Sequence, residues 1–285
     1  ITISVMDAKT GDILGTSSTP SYDPNIRNIT NYENIFTSIP FEPGSTMKTY
    51  TYMCAMEKGI YDGSKTFESG TFKVGNYTIN DWNRSGWGTI TFDKGYEYSS
   101  NVGIANLIDQ GLTRQDLYEC FTKYGFGELT GIELSREQSG KLKFIYPIEV
   151  YTAGFGQGIT TTPVQHLQAL TMVANNGDML KPHIVSKIVN PDTNEIYYER
   201  NIEKISNVIS TETATKIKDL MYITVQGKDP GTTGYPYRID GFDVIGKTGT
   251  SQIYSNTLGG YLTGDNSYIF SYAGMYPYED PEIII

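Results

Sequence analysis

Three short motifs carry side chains suited to acyl transfer, and the first is Ser45-Thr46-Met47-Lys48. Ser45 opens a predicted helix, and Lys48 follows three residues later on the same helical face. A serine hydroxyl becomes a strong nucleophile when a neighbouring base takes its proton, and a lysine whose pKa is lowered by burial can be that base. Taken alone, however, this spacing occurs by chance in many proteins, with the serine as a helix cap and the lysine in solvent.

The other two motifs could complete such a site. Ser99-Ser100-Asn101 stands just before a predicted helix, where such residues otherwise serve as N-caps. Lys247-Thr248-Gly249-Thr250 lies in an apolar strand, and its glycine would let a ligand approach the backbone. The ordinary alternative for Lys247 is a charge that protects an edge strand from aggregation.

Composition excludes several classes of function. The 285 residues include 22 Lys and Arg against 32 Asp and Glu, so the net charge of −10 disfavours nucleic acid and anionic membrane surfaces as partners. The histidines, His166 and His183, fit no metal spacing, so we expect them to be structural and expect neither a metal nor another cofactor. We expect Cys54 and Cys120 to be free thiols in the core rather than a disulfide.

Periodicity and punctuation indicate the elements that position these motifs. Helices are predicted at 45–58, 101–110, 114–124, 163–176 and 211–226. Strands are predicted at 2–7, 12–17, 183–189, 195–200, 242–253, 267–275 and 282–285. We expect a loop with a short helix at 17–34, short strands and loops at 63–95, and Thr211 as the cap of the last helix. The helix at 45–58 is apolar nearly all round, which predicts a central position.

This order of elements predicts one α+β domain spanning 1–285. Its sheet would come from 1–59 and 241–285, with a helical lobe at about 60–240 inserted between them. Because the chain starts and stops inside strand-like runs, we interpret it as a fragment of a longer protein.

With the three motifs in this chain order, the sequence resembles the transpeptidase domain of class B (monofunctional) penicillin-binding proteins, the division-type peptidoglycan D,D-transpeptidases. The resemblance runs through nearly the whole chain and includes MDAKTGDIL (6–14), FEPGSTMK (41–48), YSSN (98–101), GFGQGITTTPVQ (154–165) and KTGTSQ (247–252). It implies the fold shared by penicillin-binding proteins and serine β-lactamases, a mainly antiparallel five-stranded sheet flanked by helices. The last strand and the C-terminal helix of that fold would be truncated here.

The resemblance also implies catalytic roles. Ser45 would attack the carbonyl between the terminal D-alanines of a stem peptide, and Lys48 would activate it. Ser99 would relay the proton to the leaving group, held by Lys48 and Lys247, while Asn101 would orient Lys48 and bind the substrate's amide.

Substrate and β-lactam binding would fall to a second set of residues. Lys247 and the threonines after it would hold the terminal carboxylate. The backbone N–H groups of Ser45 and Thr250 would form the oxyanion hole. Trp82 matches a family position beside the cleft, although a buried core tryptophan is an equal alternative, and Gln252 would either face the site or continue the strand. The whole binding set is Thr248, Gly249, Thr250, Gln252 and Trp82.

For the parent protein, the resemblance implies a membrane anchor, an extracytoplasmic position, and a glycosyltransferase and divisome proteins as partners. A serine β-lactamase is the alternative enzyme, but no Glu-x-x-Leu-Asn segment for deacylation stands between the second and third motifs. A β-lactam sensor that is acylated once, and an inactive scaffold for wall synthesis, are the non-enzymatic alternatives. The intact motifs disfavour the scaffold.

Overall fold

The chain is seen in a computed structural model that describes residues 1–23, 25–26, 28–255, 257–264 and 266–285. The strands are β1 (Thr2–Asp7), β2 (Ile13–Ser18), β3 (Thr66–Glu68), β4 (Thr71–Val74), β5 (Tyr77–Asn80), β6 (Thr89–Thr91), β7 (Met179–Leu180), β8 (Lys187–Val189), β9 (Ile196–Glu199), β10 (Lys204–Ile205), β11 (Ile245–Gln252), β12 (Tyr254–Ser255), β13 (Gly260–Tyr261), β14 (Tyr268–Tyr276) and β15 (Ile283–Ile284). The helices are α1 (Ile35–Ser38), α2 (Met47–Glu57), α3 (Phe92–Glu97), α4 (Asn101–Asp109), α5 (Arg114–Lys123), α6 (Pro147–Gly154), α7 (Pro163–Ala174) and α8 (Thr211–Gln226).

The main sheet is antiparallel and five-stranded, in the order β11-β14-β15-β1-β2. The first two strands of the chain therefore share a sheet with β11, β14 and β15 near its end, and β15 joins the two groups through Met6↔Ile284 and Met275↔Ile284. This confirms the predicted α+β class and its antiparallel five-stranded sheet. β11, which carries the third motif, is an edge strand, so one of its two edges is left for the site.

Helix α2 is central, as its apolar sequence predicts. Every residue from Met47 to Ala55 is buried, including Lys48. A 3₁₀ turn at Gly44–Thr46 leads into it, and α4, α5, α6 and α8 pack around it. Ser45, which opens the first motif, therefore stands at the entry to a buried helix at the centre of the fold.

Most predicted elements are confirmed, and the exceptions have local causes. Within one or two residues of each boundary, the structure contains the strands predicted at 2–7, 12–17, 195–200, 267–275 and 282–285 and the helices predicted at 101–110, 114–124, 163–176 and 211–226. The strands predicted at 183–189 and 242–253 begin later than expected, at Lys187 and Ile245. The cap of α8 is Ser210 rather than Thr211, since the Ser210 hydroxyl accepts a hydrogen bond from Thr213 N at 3.1 Å. Helices α3 and α6 were not predicted. Helix α3 begins at Phe92, inside the stretch expected to hold only short strands and loops, and Pro147 in the first turn of α6 is a helix-start signal.

The predicted loop at 17–34 shows no helix in its described part. Positions 24 and 27 lie outside the described residues, and the first helix begins just after this stretch, at Ile35. Across the described residues, no helix is long and apolar enough to cross a membrane.

The expectation of free cysteines is wrong. Cys54 on α2 and Cys120 on α5 form a disulfide, with Cα atoms 5.8 Å apart. Both side chains are buried, as expected, but α5 packs directly on α2 and brings the two sulfurs together across 66 residues of chain. Sequence separation alone could not reveal that approach.

Candidate active site

Ser45 lies in a turn that two glycines allow to sit against β11. Gly44 has a positive φ of 55°, and its N–H donates to Gly156 O at 2.9 Å. A Cβ on Gly44 would lie 2.6 Å from Thr250 O, and one on Gly156 would lie 2.2 Å from Gly44 O. The glycine-rich stretch at 154–158 therefore packs directly behind the serine turn. The Ser45 side chain faces a cleft, with no hydrogen-bond partner within the part of the chain described.

Three side chains from three separate motifs meet beside this turn. Lys48 Nζ donates to Ser99 O at 2.5 Å and to Ser99 Oγ at 3.2 Å. Lys247 Nζ lies 2.9 Å from the same Oγ and 3.1 Å from Thr248 O. The hydroxyl of Ser99 thus bridges two lysines that are separated by 199 residues of sequence.

Burial lowers the pKa of both lysines. Lys48 is 1% exposed and Lys247 is fully buried. Burial lowers the pKa of Lys48 from its usual 10.5 to about 7, and the negative charge of Asp81 opposes that shift. Burial also lowers the pKa of Lys247 well below its usual value, and the nearby Lys48 charge lowers it further. A substantial fraction of the Lys48 amine is therefore neutral near pH 7, as a proton acceptor requires.

Ser99 is held in an unusual backbone conformation. Its φ of 57° lies in the left-handed region, which costs a non-glycine residue about 1–3 kcal/mol and persists where the surroundings enforce it. Ser99 N donates to Tyr96 O at 3.0 Å, and Ser100 N donates to Gly95 O at 2.8 Å. Ser100 is the N-cap of α4, accepting from Gly103 N at 2.8 Å. The capping role considered for this motif is thus real for Ser100, while Ser99 faces the cleft.

Asn101 also lines the cleft, but its contacts differ from the expected ones. Its side-chain Nδ2 donates to Asn80 O at 2.9 Å, and no hydrogen bond joins it to Lys48 among the described residues. Asn101 is therefore fixed against the end of β5. Its other amide atom is left for a ligand.

The absence of a side chain at Gly249 is required by close packing. A Cβ at this position would lie 2.2 Å from Ser271 Oγ and 2.9 Å from Pro43 O. The glycine therefore admits the neighbouring strand and the serine turn. Gly249 also lines the cleft, and the approach of a ligand to its backbone stays a prediction.

The cleft itself has a volume of about 990 Å³, enough for a small-molecule or peptide ligand. Its walls hold most of the residues singled out in the sequence, namely Ser45, Ser99, Asn101, Thr248, Gly249, Thr250, Gln252 and Trp82. Lys48 and Lys247 lie behind this surface, in contact with Ser99. Gln252 faces the cleft as well as continuing β11, so both descriptions of it hold.

Trp82 is not a core residue. Its side chain is 62% exposed and lines the cleft, so the buried alternative is wrong. The indole Nε1 donates to Tyr98 O at 2.9 Å, and its ring packs edge-on against Trp87, which stacks on Tyr98. These contacts fix an aromatic wall beside the second motif.

Several cleft residues were missed by sequence reasoning. They are Asn80, Asp81, Arg84, Phe155, Gln157, Pro230, Gly231, Thr232, Thr233, Pro236, Tyr237, Tyr268 and Phe270. Gln157 stands inside the GFGQGI stretch and Asp81 stands next to Trp82, so both had a signal in motifs already noted. The loop residues at 230–237 carried none, because nothing local shows which loop folds over a cleft.

The histidines lie away from the cleft chemistry. His166 is buried, where burial lowers its pKa to about 3, and Thr161 Oγ1 lies 2.9 Å from its Nε2. His183 Nδ1 lies 2.8 Å from Glu133 Oε1. Within the described ranges, no three His, Cys, Asp or Glu side chains are grouped so that they could hold a metal ion.

Comparison with known proteins places this arrangement in a family. Residues 1–285 match the family described as the penicillin binding protein transpeptidase domain. The chain is 31% identical to stage V sporulation protein D of Bacillus subtilis over 98% of its length. It is also 32% identical to penicillin-binding protein PbpB of Mycolicibacterium smegmatis over 99% of its length. It spans 43% and 44% of the lengths of these two relatives, respectively.

Solved structures agree with the sequence matches. Penicillin binding protein 2X from Streptococcus thermophilus superposes with a TM-score of 0.88 at 30% identity, over 99% of this chain and 43% of that one. Penicillin binding protein 3 from Mycobacterium tuberculosis, solved complexed with aztreonam, gives a TM-score of 0.86 at 28% identity, over 99% of this chain and 64% of that one. With its full length matched and its fold shared, the chain belongs to the penicillin-binding protein transpeptidase domain family.

Proposed function

We propose that this chain is a peptidoglycan D,D-transpeptidase domain that cross-links stem peptides through an acyl-enzyme on Ser45 and is acylated there by β-lactams. The observation that carries the proposal is the Ser99 hydroxyl held between the Nζ atoms of Lys48 and Lys247 at the base of the cleft that Ser45 faces. Support also comes from relatives called probable peptidoglycan D,D-transpeptidase PenA in Neisseria species.

In the proposed acylation, Ser45 Oγ attacks the carbonyl carbon between the two terminal D-alanines. Neutral Lys48 accepts the hydroxyl proton, and a pKa of about 7 gives it the required neutral fraction. The C–N bond then breaks, and the proton reaches the leaving amine through Ser99, which lies within hydrogen-bond reach of Lys48. D-Alanine departs with that proton, and the remaining peptide is an ester on Ser45.

Hydrogen-bond donors and backbone geometry support the binding roles. Lys247 and the hydroxyls of Thr248 and Thr250 would hold the terminal carboxylate of the substrate. In an antiparallel strand, a residue's N–H and C=O point to the same side, and Thr250 O points toward Gly44. The N–H of Thr250 therefore opens toward Ser45, where the two backbone N–H groups would stabilise the oxyanion. Asn101, Gln252 and Trp82 would contact the rest of the peptide.

Transfer to an amine is favoured over hydrolysis by the carboxylates present. A β-lactamase needs a base that activates the deacylating water. Among the described residues lining the cleft, Asp81 is the one carboxylate, and its oxygens already accept hydrogen bonds from Gly70 N, Ser100 Oγ and Val102 N. An amine from a second stem peptide would therefore attack the ester and complete the cross-link.

We also propose the setting of this reaction. The parent protein would be membrane-anchored, with this domain on the extracytoplasmic side, acting with a glycosyltransferase and divisome proteins in division. One relative is called a peptidoglycan D,D-transpeptidase FtsI homolog, from Mesostigma viride. The proposed lobe at 60–240 is supported by the strands of the main sheet, which all lie within 1–59 and 241–285.

Transpeptidation is tested by supplying a peptide that ends in D-Ala-D-Ala, with and without an acceptor amine. We expect D-alanine release to rise with the amine and a peptide–amine product to appear by mass spectrometry, with neither in Ser45→Ala. Release of D-alanine by Ser45→Ala at the wild-type rate would contradict the proposal. Acylation of the wild-type domain without any peptide product would instead favour the sensor.

A further inference from the structure

The side chain of Asp81, which lines the cleft, joins the loop before β4 to the start of α4. It is 1% exposed, and its Oδ2 accepts from Gly70 N at 2.8 Å, in the loop between β3 and β4. Its Oδ1 accepts from Ser100 Oγ at 2.8 Å and from Val102 N at 3.0 Å, at the start of α4. The backbone of Asp81 returns the first contact, since its N–H donates to Gly70 O at 2.9 Å. The buried carboxylate therefore connects the loop at Gly70 to the turn at Ser100 by hydrogen bonds.

That turn is the one that presents Ser99. The next residue, Ser100, donates its hydroxyl to Asp81, and Ser99 itself is held at a positive φ of 57°. Because both the carbonyl and the hydroxyl of Ser99 accept from Lys48, a shift of the turn would change the two distances on which proton relay depends.

We infer that Asp81 is a positioning residue for acyl transfer, whose carboxylate holds the Ser99 turn so that the Ser99 hydroxyl stays between Lys48 and Lys247. The inference rests on the proposed function, because it assigns Ser99 to the proton relay. Asp81 itself touches neither lysine through a hydrogen bond within the described residues. Asp81 acts on the Ser99 turn through its hydrogen bond with Ser100, and on Lys48 through its negative charge.

The charge has its own consequence. The charged or titratable groups around Lys48 are Asp81 on one side and Lys247 on the other, with the Tyr96 ring 6.0 Å from Lys247 Nζ. The Asp81 carboxylate raises the pKa of Lys48 against the larger effect of burial. Neutralising that carboxylate would lower the pKa of Lys48 further, so Lys48 would become an available base at lower pH.

The test is Asp81→Asn, with acylation by penicillin followed by intact mass between pH 5 and 9. We expect the rate constant at high pH to fall roughly tenfold to a hundredfold, because the turn is less well fixed. We also expect the rise of the rate with pH to move to lower pH. A structural defect alone would not produce that shift.

A matched control is Glu57→Gln. The Glu57 carboxylate also accepts hydrogen bonds at a helix start, from Ser210 N at 3.0 Å and Thr213 Oγ1 at 2.6 Å. It lies nine residues beyond Lys48 along α2, about 14 Å away by helical rise. We expect Glu57→Gln to keep the wild-type rate and pH profile even where it lowers stability.

The outcomes separate the inference from the function it rests on. No adduct on the folded wild-type domain would remove the proposed function itself. A wild-type adduct with an unchanged rate and pH profile in Asp81→Asn, or an equal fall in Glu57→Gln, would overturn the inference alone. If Asp81→Asn fails to fold, Ser100→Ala is the variant to measure, because it removes the hydrogen bond from Ser100 Oγ to Asp81 but keeps the carboxylate. A lower acylation rate with an unchanged pH profile would support the inference. A wild-type rate would overturn it.

Discussion

At the scale of single residues, the site depends on two amines that would be charged in water and are enclosed by protein here. Lys48 and Lys247 have no carboxylate partner within the described residues, and both donate to the one hydroxyl of Ser99. Burying an ammonium without a counter-ion favours its neutral form. Burial of the Lys48 ammonium is unfavourable for stability, but it lowers the pKa of Lys48 to about 7, so Lys48 can act as a base near neutral pH.

The pH dependence of acylation follows from the pKa of Lys48. A lysine is neutral above its pKa, so acylation by penicillin should rise about tenfold per pH unit below pH 7 and level off above it, because the pKa is about 7. Stopped-flow rates or timed intact-mass measurements would give this profile. A profile that stays flat from pH 5 to 9 would rule out Lys48 as the base.

Much of this residue set could be predicted, for a chemical reason. Ser45, Ser99 and Lys247 each stand in a motif whose residue types suit the reaction, and the order of the motifs is specific. Asp81 was missed because its function depends on contacts with Gly70 and Ser100, and nothing in the local sequence shows those contacts. The left-handed conformation of Ser99 was equally invisible, since serine has no preference for it.

At the scale of elements, the serine turn is sandwiched between β11 and the glycine-rich stretch after α6. The turn approaches β11 at two places where a side chain would interfere, Gly44 and Gly249. Edge strand, turn and glycine-rich stretch therefore form one packed unit, so a change in any of them should move Ser45.

Gly249→Ala tests that unit. The added methyl group would meet Ser271 Oγ and Pro43 O, so we expect a loss of about 1–3 kcal/mol in unfolding free energy and slower acylation of Ser45. Gly15→Ala in β2 is the matched control, since no atom lies within 4 Å of its added Cβ. Chemical denaturation and intact-mass kinetics would measure both effects. Equal behaviour of the two variants would contradict the packed unit.

The disulfide between α2 and α5 offers a second test at this scale. It closes a segment of 66 residues, and a cross-link of that span stabilises the folded state by about 4 kcal/mol. We expect the double variant Cys54→Ala/Cys120→Ala to lose that amount in denaturant unfolding, and reductant to destabilise the wild type equally. Reductant should leave the double variant unchanged. Titratable free thiols in the untreated protein would show that the bond is absent.

Elements with clear start and stop residues in the sequence were predictable, and those that depend on tertiary contacts were not. Helix α8 has a polar start, a long amphipathic stretch and a terminal glycine, and its predicted span matches the observed one. The pairing of β15 with β1 could be guessed only through the resemblance, because antiparallel partners at opposite ends of the chain share no local signal. The prediction of free cysteines failed for the same reason, because the contact between α2 and α5 leaves no signal in the local sequence.

At the scale of the whole molecule, the net charge of −10 must be reconciled with substrates that carry a carboxylate. The long-range field of such a protein repels an anion, so binding has to depend on short-range hydrogen bonds at the cleft, donated by Lys247 and by the hydroxyls of Thr248 and Thr250. Attraction is then confined to short range, where salt screens it least.

The salt dependence of the acylation rate tests whether the net negative charge of the protein repels anionic penicillins. Raising salt from about 10 mM to about 150 mM shortens the Debye length from roughly 30 Å to 8 Å. We expect the acylation rate constant of a mono-anionic penicillin to rise modestly, about two- to threefold, as long-range repulsion is screened. A zwitterionic penicillin of zero net charge is the control and should change little. A rate that falls with salt for the anion alone would contradict repulsion by the protein's field.

Intact-mass spectrometry of the domain after exposure to a penicillin shows directly whether Ser45 forms a long-lived acyl-enzyme. We expect such an acyl-enzyme, seen as one adduct with the full mass of the drug, located on Ser45 by peptide mapping, absent in Ser45→Ala and released slowly compared with its formation. A folded domain without an adduct, or one that returns quickly to its starting mass while the drug is hydrolysed, would contradict it.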